Sequence, residues 1–187
     1  LVAPIHRLTA APWWTQRSPS TRLRRTVTDY KTELFHVLKH SNSIMFIDPH
    51  IDPSRRQYRS FIQLVQAAGN RTPVPRIEIH RVCYYGSGRS CQILNSSDIE
   101  ENFRRELSEQ LQASNLVMEV FVWDDFHDRY LISNLVGISL PNGFDTPDTS
   151  NAWSTWTRLG RKDRDDIQRE FDPASNRHVL RGHFTVP

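Results

Sequence analysis

Apolar and polar residues alternate along this chain with two different periods, and each period predicts one kind of secondary structure. Apolar residues three and four positions apart predict helices at 21–40, 55–68 and 98–112. The last is the clearest, because Ser97 and Glu100 form a capping box ahead of an apolar residue at every fourth position. Short apolar runs predict strands at 44–47, 76–82, 116–123, 129–132, 136–140, 152–159 and 178–186.

Strands that alternate with helices over connections of this length indicate βαβ units. We therefore predict an α/β fold with a mixed, mainly parallel sheet flanked by helices, whose closing strands are antiparallel. Residues 1–20, which hold three prolines and a Trp pair, are predicted to be an N-terminal arm, and residues 21–187 a single domain. Residues 84–95 and 141–151 are predicted loops, and a charged stretch, 160–166, separates the last two strands.

This sheet also predicts where a ligand binds. In open α/β sheets, ligands bind beyond the carboxyl ends of the strands. The rule places Asp48 and His50, the 84–95 loop and residues 124–127 on one rim. A turn that begins the next helix is an alternative explanation of Asp48 and His50, because Pro53 follows them closely.

Composition describes a folded protein with an unusual preference among its basic residues. Hydrophobic residues make up 37% and charged residues 24%, which excludes a disordered chain. Of 24 basic residues 3 are Lys, so 24 − 3 = 21 are Arg, the side chain best suited to bidentate phosphate contacts. A genome rich in GC would give the same preference. The net charge of +3 is weak evidence of a polyanionic partner.

Other features of the sequence bear on the location of the protein, its boundaries and its need for a metal or cofactor. No apolar run approaches the roughly 20 residues that span a bilayer, and no signal peptide is visible, so we expect a cytoplasmic protein. The chain begins with Leu, and we expect it to be an excised domain of a larger protein. Cys83 and Cys91 form no metal-binding pattern, and no metal or cofactor is expected.

The most informative motif is His127-x-Arg129 in the stretch DDFHDRYLIS. Side chains two residues apart on a strand share a face, so an imidazole and a guanidinium there can meet one ligand. An imidazole can attack phosphorus or carry a proton near neutral pH, and a guanidinium can hold the non-bridging oxygens. The motif therefore predicts a place where phosphate is bound.

The stretch from His127 to Asn134 resembles the signature of the phospholipase D superfamily, which is His-x-Lys, four residues and Asp. Arg129 takes the Lys position and Asn134 the Asp position. The resemblance implies that His127 is a catalytic nucleophile, that Arg129 grips phosphate and that no metal is needed. In that superfamily a second copy of the motif supplies the general acid, so an active form of this chain requires a homodimer. Asn134 lacks the carboxylate charge, which Asp145 or Asp48 could supply instead.

Residues 40–185 more closely resemble the phospholipase-D-like C-terminal domain that follows MIT domains in ESCRT-associated proteins. The resemblance rests on Asp48-Pro49-His50-Ile51, on the long helix before a strand, on His127-Asp128-Arg129 and on Gly143-Phe144-Asp145. Eukaryotic members are regarded as non-hydrolytic and bind acidic phospholipids. This resemblance implies a phosphate site formed by Asp48, His50, His127, Arg129 and Asp145.

We therefore predict a phospholipase-D-like domain that recognises a phosphate-bearing partner, either nucleic acid or acidic lipid. It would serve as an accessory or effector domain of a larger bacterial protein. One alternative is a metal-independent phosphodiesterase or nuclease that acts through His127 in a dimer, with Arg129 and Asn134 completing its motif. A second is a non-catalytic protein-interaction module that keeps only the fold.

Overall fold

A computed structural model describes residues 17–86, 88–149 and 151–187. Most of the predicted arm, residues 1–16, lies outside the described residues. Eight strands form one sheet, in the spatial order β1 (Ser20–Arg24), β9 (Trp153–Arg158), β8 (Gly137–Ser139), β7 (Tyr130–Ser133), β2 (Ser43–Ile47), β3 (Arg76–Val82), β6 (Met118–Trp123) and β10 (Leu180–Val186). A separate hairpin consists of β4 (Tyr84–Tyr85) and β5 (Gln92–Ile93).

The predicted fold class is confirmed, with a narrower role for parallel pairing. Strand β3 pairs in parallel with both β2 and β6, and these three strands form the centre of the sheet. Every other ladder of the sheet among the described residues is antiparallel. The closing strands β9 and β10 lie far apart, each antiparallel to a different neighbour. Parallel pairing therefore describes the centre of the sheet and not most of its ladders.

Helices cover the two faces of the sheet unequally. One face packs against α1 (Val27–Glu33), α2 (Phe35–His40), α3 (Phe61–Gln66) and α4 (Ser96–Ala113) through a large apolar core. The other face carries α5 (Arg161–Glu170) and a smaller core around Phe171. Within the described residues, every helix is too short or too polar to cross a bilayer.

Alternation along the central strands assigns each side chain to one of the two cores. On β2, Ile44 and Phe46 lie in the large core, whereas Met45 and Ile47 lie in the small one. Successive side chains of a strand point to opposite faces, so a strand covered on both sides is apolar throughout. For this reason the unbroken apolar run at 44–47 was readable as a strand.

The predicted helices differ from the observed ones at their ends. Residues 20–24 form the edge strand β1, and the helical spacing over 27–40 belongs to α1 and α2. The predicted helix 55–68 is a short 3₁₀ turn at Arg56–Tyr58 followed by α3. Helix α4 begins one residue before the proposed capping box, after Asn95, and no side chain caps it.

The charged stretch 160–166 is the first half of helix α5. Its sequence, Arg161–Glu170, holds a single apolar residue, Ile167, so no helical period was visible. Ile167 and the following Phe171 attach α5 to the small core. The helix is therefore joined to the sheet by a few apolar contacts.

Candidate functional site

Three predicted segments meet at the carboxyl ends of the central strands. The residues after β2, the β4–β5 hairpin and the segment after β6 enclose a surface pocket of about 490 Å³, called the rim pocket here. It is lined by His50, Tyr84, Gly86, Gly88, Cys91, Asp125 and His127. The structure thus brings His50 and His127 into one pocket, as the position of the strand ends predicts.

Asp48 is fully buried at the end of β2 and joins the segments beside the rim pocket. Its carboxylate accepts hydrogen bonds from the backbone N–H groups of His50 and Phe144, each 3.0 Å away, and from the Tyr58 hydroxyl at 3.2 Å. Burial raises the pKa of Asp48, while these bonds and Arg129 oppose the rise. Since it is buried and its oxygens are occupied, Asp48 positions the rim and does not itself meet a ligand.

Arg129 is held beside Asp48 at the start of β7. Its Nε lies 3.6 Å from Asp48 Oδ1, and its Nη1 donates a hydrogen bond of 3.1 Å to the carbonyl oxygen of His127. The guanidinium is partly exposed. Gly143 lets the chain pass closely, because an added Cβ there would lie 2.9 Å from Arg129 Cδ. The charge of Arg129 is therefore fixed in place and only partly neutralised.

His127 is the most exposed member of the site, with a side chain 83% accessible. It lies in the loop just before β7, so strand alternation does not align it with Arg129 as predicted. Its nearest acid is Asp125, with Oδ2 3.8 Å from Nε2. No described side chain holds the ring in one orientation by a closer ion pair, which makes His127 an available but loosely positioned imidazole.

His50 is half-buried, and its ring edge faces Tyr84 and Tyr85 at centroid distances of 6.2 and 6.3 Å. Burial, followed by the charges of Arg129, Arg81 and His127, lowers the pKa of His50. Its ring is thus neutral near pH 7. Its Nδ1 atom is enclosed and has no hydrogen-bond partner among the described residues. It is one of six buried side-chain polar atoms among the described residues that lack such a partner.

Arg81 is a site residue that the sequence reasoning missed. It lies on β3 beside the end of β2, is 2% exposed and donates from Nε to the carbonyl oxygen of Val82 at 3.1 Å. No ion pair to Arg81 is formed within the described part of the chain, and burial lowers its pKa. Strand β3 also carries Arg76, Glu78 and His80, so its sequence does not single out Arg81.

Two predicted site residues lie elsewhere. Asn134 follows the far end of β7 and accepts hydrogen bonds from the backbone N–H groups of Asn42 and Ser43. The four residues of β7 separate it from Arg129. The resulting five residue steps span about 16 Å at 3.3 Å per residue, so Asn134 does not join the catalytic group. The carboxylate of Asp145 forms an ion pair with Arg25 and is not directed to the rim pocket.

The remaining residues favour anion binding over metal binding. Among the described residues, no cluster of His, Cys, Asp and Glu side chains could hold a metal ion. The groups at or near the rim pocket are two imidazoles, two guanidiniums and two carboxylates, of which Asp125 lines the pocket and Asp48 is buried. This arrangement can hold a phosphate group. It lacks a positioned acid or base for a complete hydrolytic mechanism.

Comparison with known proteins identifies the fold. No family model and no curated protein matches the sequence. Among solved structures, a phospholipase D family member, Nuc from Salmonella typhimurium, matches with a TM-score of 0.52 and 9% identity over 86% of this chain and 96% of that chain. NucT from Helicobacter pylori matches with a TM-score of 0.53 and 8% identity, over 86% of this chain and 96% of that one.

Polyphosphate kinase from Porphyromonas gingivalis matches over 90% of this chain but 28% of its own length, with a TM-score of 0.53 and 12% identity. At such identities the likeness concerns the fold alone. The chain therefore has the α/β fold of phospholipase D family members. The closer resemblance to the MIT-associated domain stays a prediction, because these comparisons do not reach it.

Proposed function

We propose that the rim pocket binds a phosphate group of a nucleic acid or an acidic phospholipid. The observation that carries this proposal is the group of cationic side chains that surrounds His50 at the rim pocket. Arg81, Arg129 and His127 all lie close enough to lower its pKa. Asp48 lies beside Arg129, and the carboxylates of Asp52 and Asp48 act on the buried Arg81, which forms no direct ion pair among the described residues. A buried guanidinium is stable only when an anion or dipoles compensate it.

The positions of the motif residues His127, Arg129 and Asn134 favour binding over hydrolysis. Arg129 keeps the charge of the lysine it replaces, but Asn134 lies at the other end of β7. His127 has a distant acid partner, and a nucleophilic histidine needs a base-orienting partner within hydrogen-bond reach. The shared fold includes a phospholipase D family member and a polyphosphate kinase, both named for chemistry on phosphates. We place this domain as an accessory part of a larger protein.

Hydrolysis by a homodimer is the second candidate, because the exposure of His127 would let two copies approach each other. The test is incubation of single- and double-stranded DNA with the protein in EDTA. Absence of cleavage supports the binding function. Cleavage that disappears in His127→Ala would instead establish the enzyme, and sedimentation of the active form would then be expected to show a dimer.

Binding itself is tested with labelled DNA and with vesicles of acidic lipid, each over a range of salt concentration. Arg129→Gln should weaken binding to the true partner about tenfold and reduce the salt slope by about one, since one phosphate contact is lost. Arg104→Gln is the control, because Arg104 pairs with Glu100 on the exposed side of α4. If the two variants bind alike, the rim pocket is not the binding site and the protein-interaction module remains.

A further inference from the structure

The first and ninth strands present a second surface, separate from the rim pocket. Strand β1 is the edge of the sheet and pairs antiparallel with β9, so that Arg24 lies opposite Trp153 and Arg22 opposite Thr155. Leu23 and Trp156, on the inward side, join the large core. The outward side, called the edge face here, consists of Ser20, Arg22, Arg24, Trp153, Thr155 and Thr157.

Trp153 is unusual because a large aromatic ring is left 45% exposed. The guanidinium carbons of Arg22 and Arg24 each lie 5.5 Å from the centroid of this ring. Cation–π contacts of this kind hold the ring and the two charges together. The edge face therefore offers an aromatic ring between two cations, on the surface of a rigid pair of strands.

The two charges are not neutralised locally. None of the six side chains of the edge face is acidic, and neither Arg22 nor Arg24 forms an ion pair with a described residue. The nearby Asp29 accepts a hydrogen bond of 3.1 Å from the backbone N–H of Arg24, not from its guanidinium. An anionic partner would therefore find both guanidiniums available.

Exposed aromatic rings among arginines suit one class of polyanion best. A base of a single strand can stack on an aromatic ring while its phosphates contact Arg side chains, and hydroxyls add phosphate hydrogen bonds. In a duplex the bases are already stacked and paired, so Trp153 would gain little. A membrane surface requires a broad apolar stripe, and the edge face has one apolar side chain.

We propose that the edge face binds single-stranded nucleic acid, with a base stacked on Trp153 and phosphates held by Arg22 and Arg24. Thr155 and Thr157 continue the same outward row and add hydroxyl donors. The edge face lies on the side of β1 and β9 opposite the large core, whereas Asp48 lies on the side of the large core, where it bonds to Tyr58 and Phe144. The edge face is thus independent of the rim pocket and of the function proposed for it.

The test measures binding of a labelled oligothymidylate to the whole chain and to Trp153→Ala. We expect about a tenfold loss of affinity, the effect of losing one stacked base. Phe35→Ala is the matched control, because Phe35 is also half exposed and lies 5.3 Å from the Lys39 ammonium. It should bind like the unaltered protein. Binding of a duplex of the same length should be equal for all three proteins.

Further variants and ligands distinguish the possible reasons for a loss of binding. Trp153→Phe should keep most of the affinity, which distinguishes stacking from a folding defect, and the melting temperature of each variant is measured alongside. Equal oligothymidylate binding by the unaltered protein and by Trp153→Ala would overturn the proposal. So would an effect of the variant on binding to acidic vesicles and not on DNA. Arg129→Gln reports on the rim pocket alone, so either surface can fail without the other.

Discussion

Arg81 and Arg129 beside the rim pocket carry the same charge as Arg22 and Arg24 on the edge face, in opposite surroundings. Arg81 is buried, and Arg129 lies against the fully buried Asp48. The edge arginines are exposed, and among the described residues their side chains contact the ring of Trp153. The rim arginines are therefore part of the folded core, whereas the edge arginines are attached to its surface.

Binding and stability are coupled to different degrees at the rim pocket and on the edge face. Removing one partner of a buried charge pair leaves the other charge unsolvated, which is strongly destabilising. Exposed charges contribute little to folding because water solvates them equally well in the unfolded chain. We therefore expect substitutions beside the rim pocket to change both binding and stability, and substitutions on the edge face to change binding alone.

The largest effect is expected at Asp48. Asp48→Ala leaves the Tyr58 hydroxyl, two backbone N–H groups and Arg129 without their partner. We expect the free energy of unfolding to fall by about 3–5 kcal/mol, measured by denaturant titration. Asp166→Ala, which removes an exposed partner of Arg169, is the control and should have an effect below about 0.5 kcal/mol. Similar losses in the two variants would contradict the coupling of the rim to the fold.

A substitution at Gly143 tests the same coupling by steric displacement of Asp48 instead of by removal of its charge. Its φ is +66°, and an added Cβ would lie 1.9 Å from Asp48 Oδ2, so Gly143→Ala must displace the buried carboxylate. Gly88 is a matched control, because its φ is +54° and an added Cβ would meet nothing within 4 Å. Gly88→Ala should cost only the backbone strain, about 1 kcal/mol. Thermal denaturation should show a clearly larger loss for Gly143→Ala, and equal losses would mean that the segment yields freely.

A histidine on the opposite face of the sheet predicts a smaller effect that depends on pH. His80 is fully buried; its Nδ1 accepts from Trp123 Nε1 at 3.1 Å and its Nε2 lies 3.2 Å from Glu78. Burial lowers the pKa of His80, with Glu78 opposing the shift. The unfolded chain therefore binds the proton more readily. Stability is complete above the unfolded value of about 6.5 and is lost as the pH falls toward the lower folded value.

Denaturant titration near pH 7 and near pH 5.5 measures this loss, which cannot exceed about 1.4 kcal/mol per pH unit for one histidine. His50, whose pKa burial also lowers, adds to it, and the raised pKa of Asp48 acts in the opposite direction. His80→Asn should reduce the pH dependence, because the residue that resists protonation is gone. An unchanged dependence in that variant would assign the effect to other groups.

The sequence predicted the parts of the fold whose side chains all face a core. Strand β3 at Arg76–Val82 was readable because both of its faces are covered. Strand β1 was not, because only Leu23 of its five residues is buried and the arginines interrupt the apolar pattern. Helix α5 was missed for the same reason, since it contacts the sheet through Ile167 and the adjoining Phe171.

The candidate site was predictable as a place and only partly as a set of residues. The rule for strand ends placed His50 and His127 together correctly. The resemblance to a linear signature gave Asn134 a catalytic role. Strand β7 lies between Arg129 and Asn134, however, and places Asn134 at the opposite end of the sheet. The part of Arg81 depends on its burial near Asp52 and Asp48, and no spacing rule contains that information.

The smallest stability effect is expected on the edge face. Arg22→Gln combined with Arg24→Gln should change the free energy of unfolding by no more than about 0.5 kcal/mol, as is usual for exposed surface positions. Arg129→Gln should cost more, because it leaves Asp48 buried without its cation. The salt slope of oligothymidylate binding should nevertheless fall by about two for the edge pair, because two phosphate contacts are lost. If the edge pair instead lowers the melting temperature as much as Arg129→Gln does, the cations around Trp153 hold the edge strand in place and are not free to bind a partner.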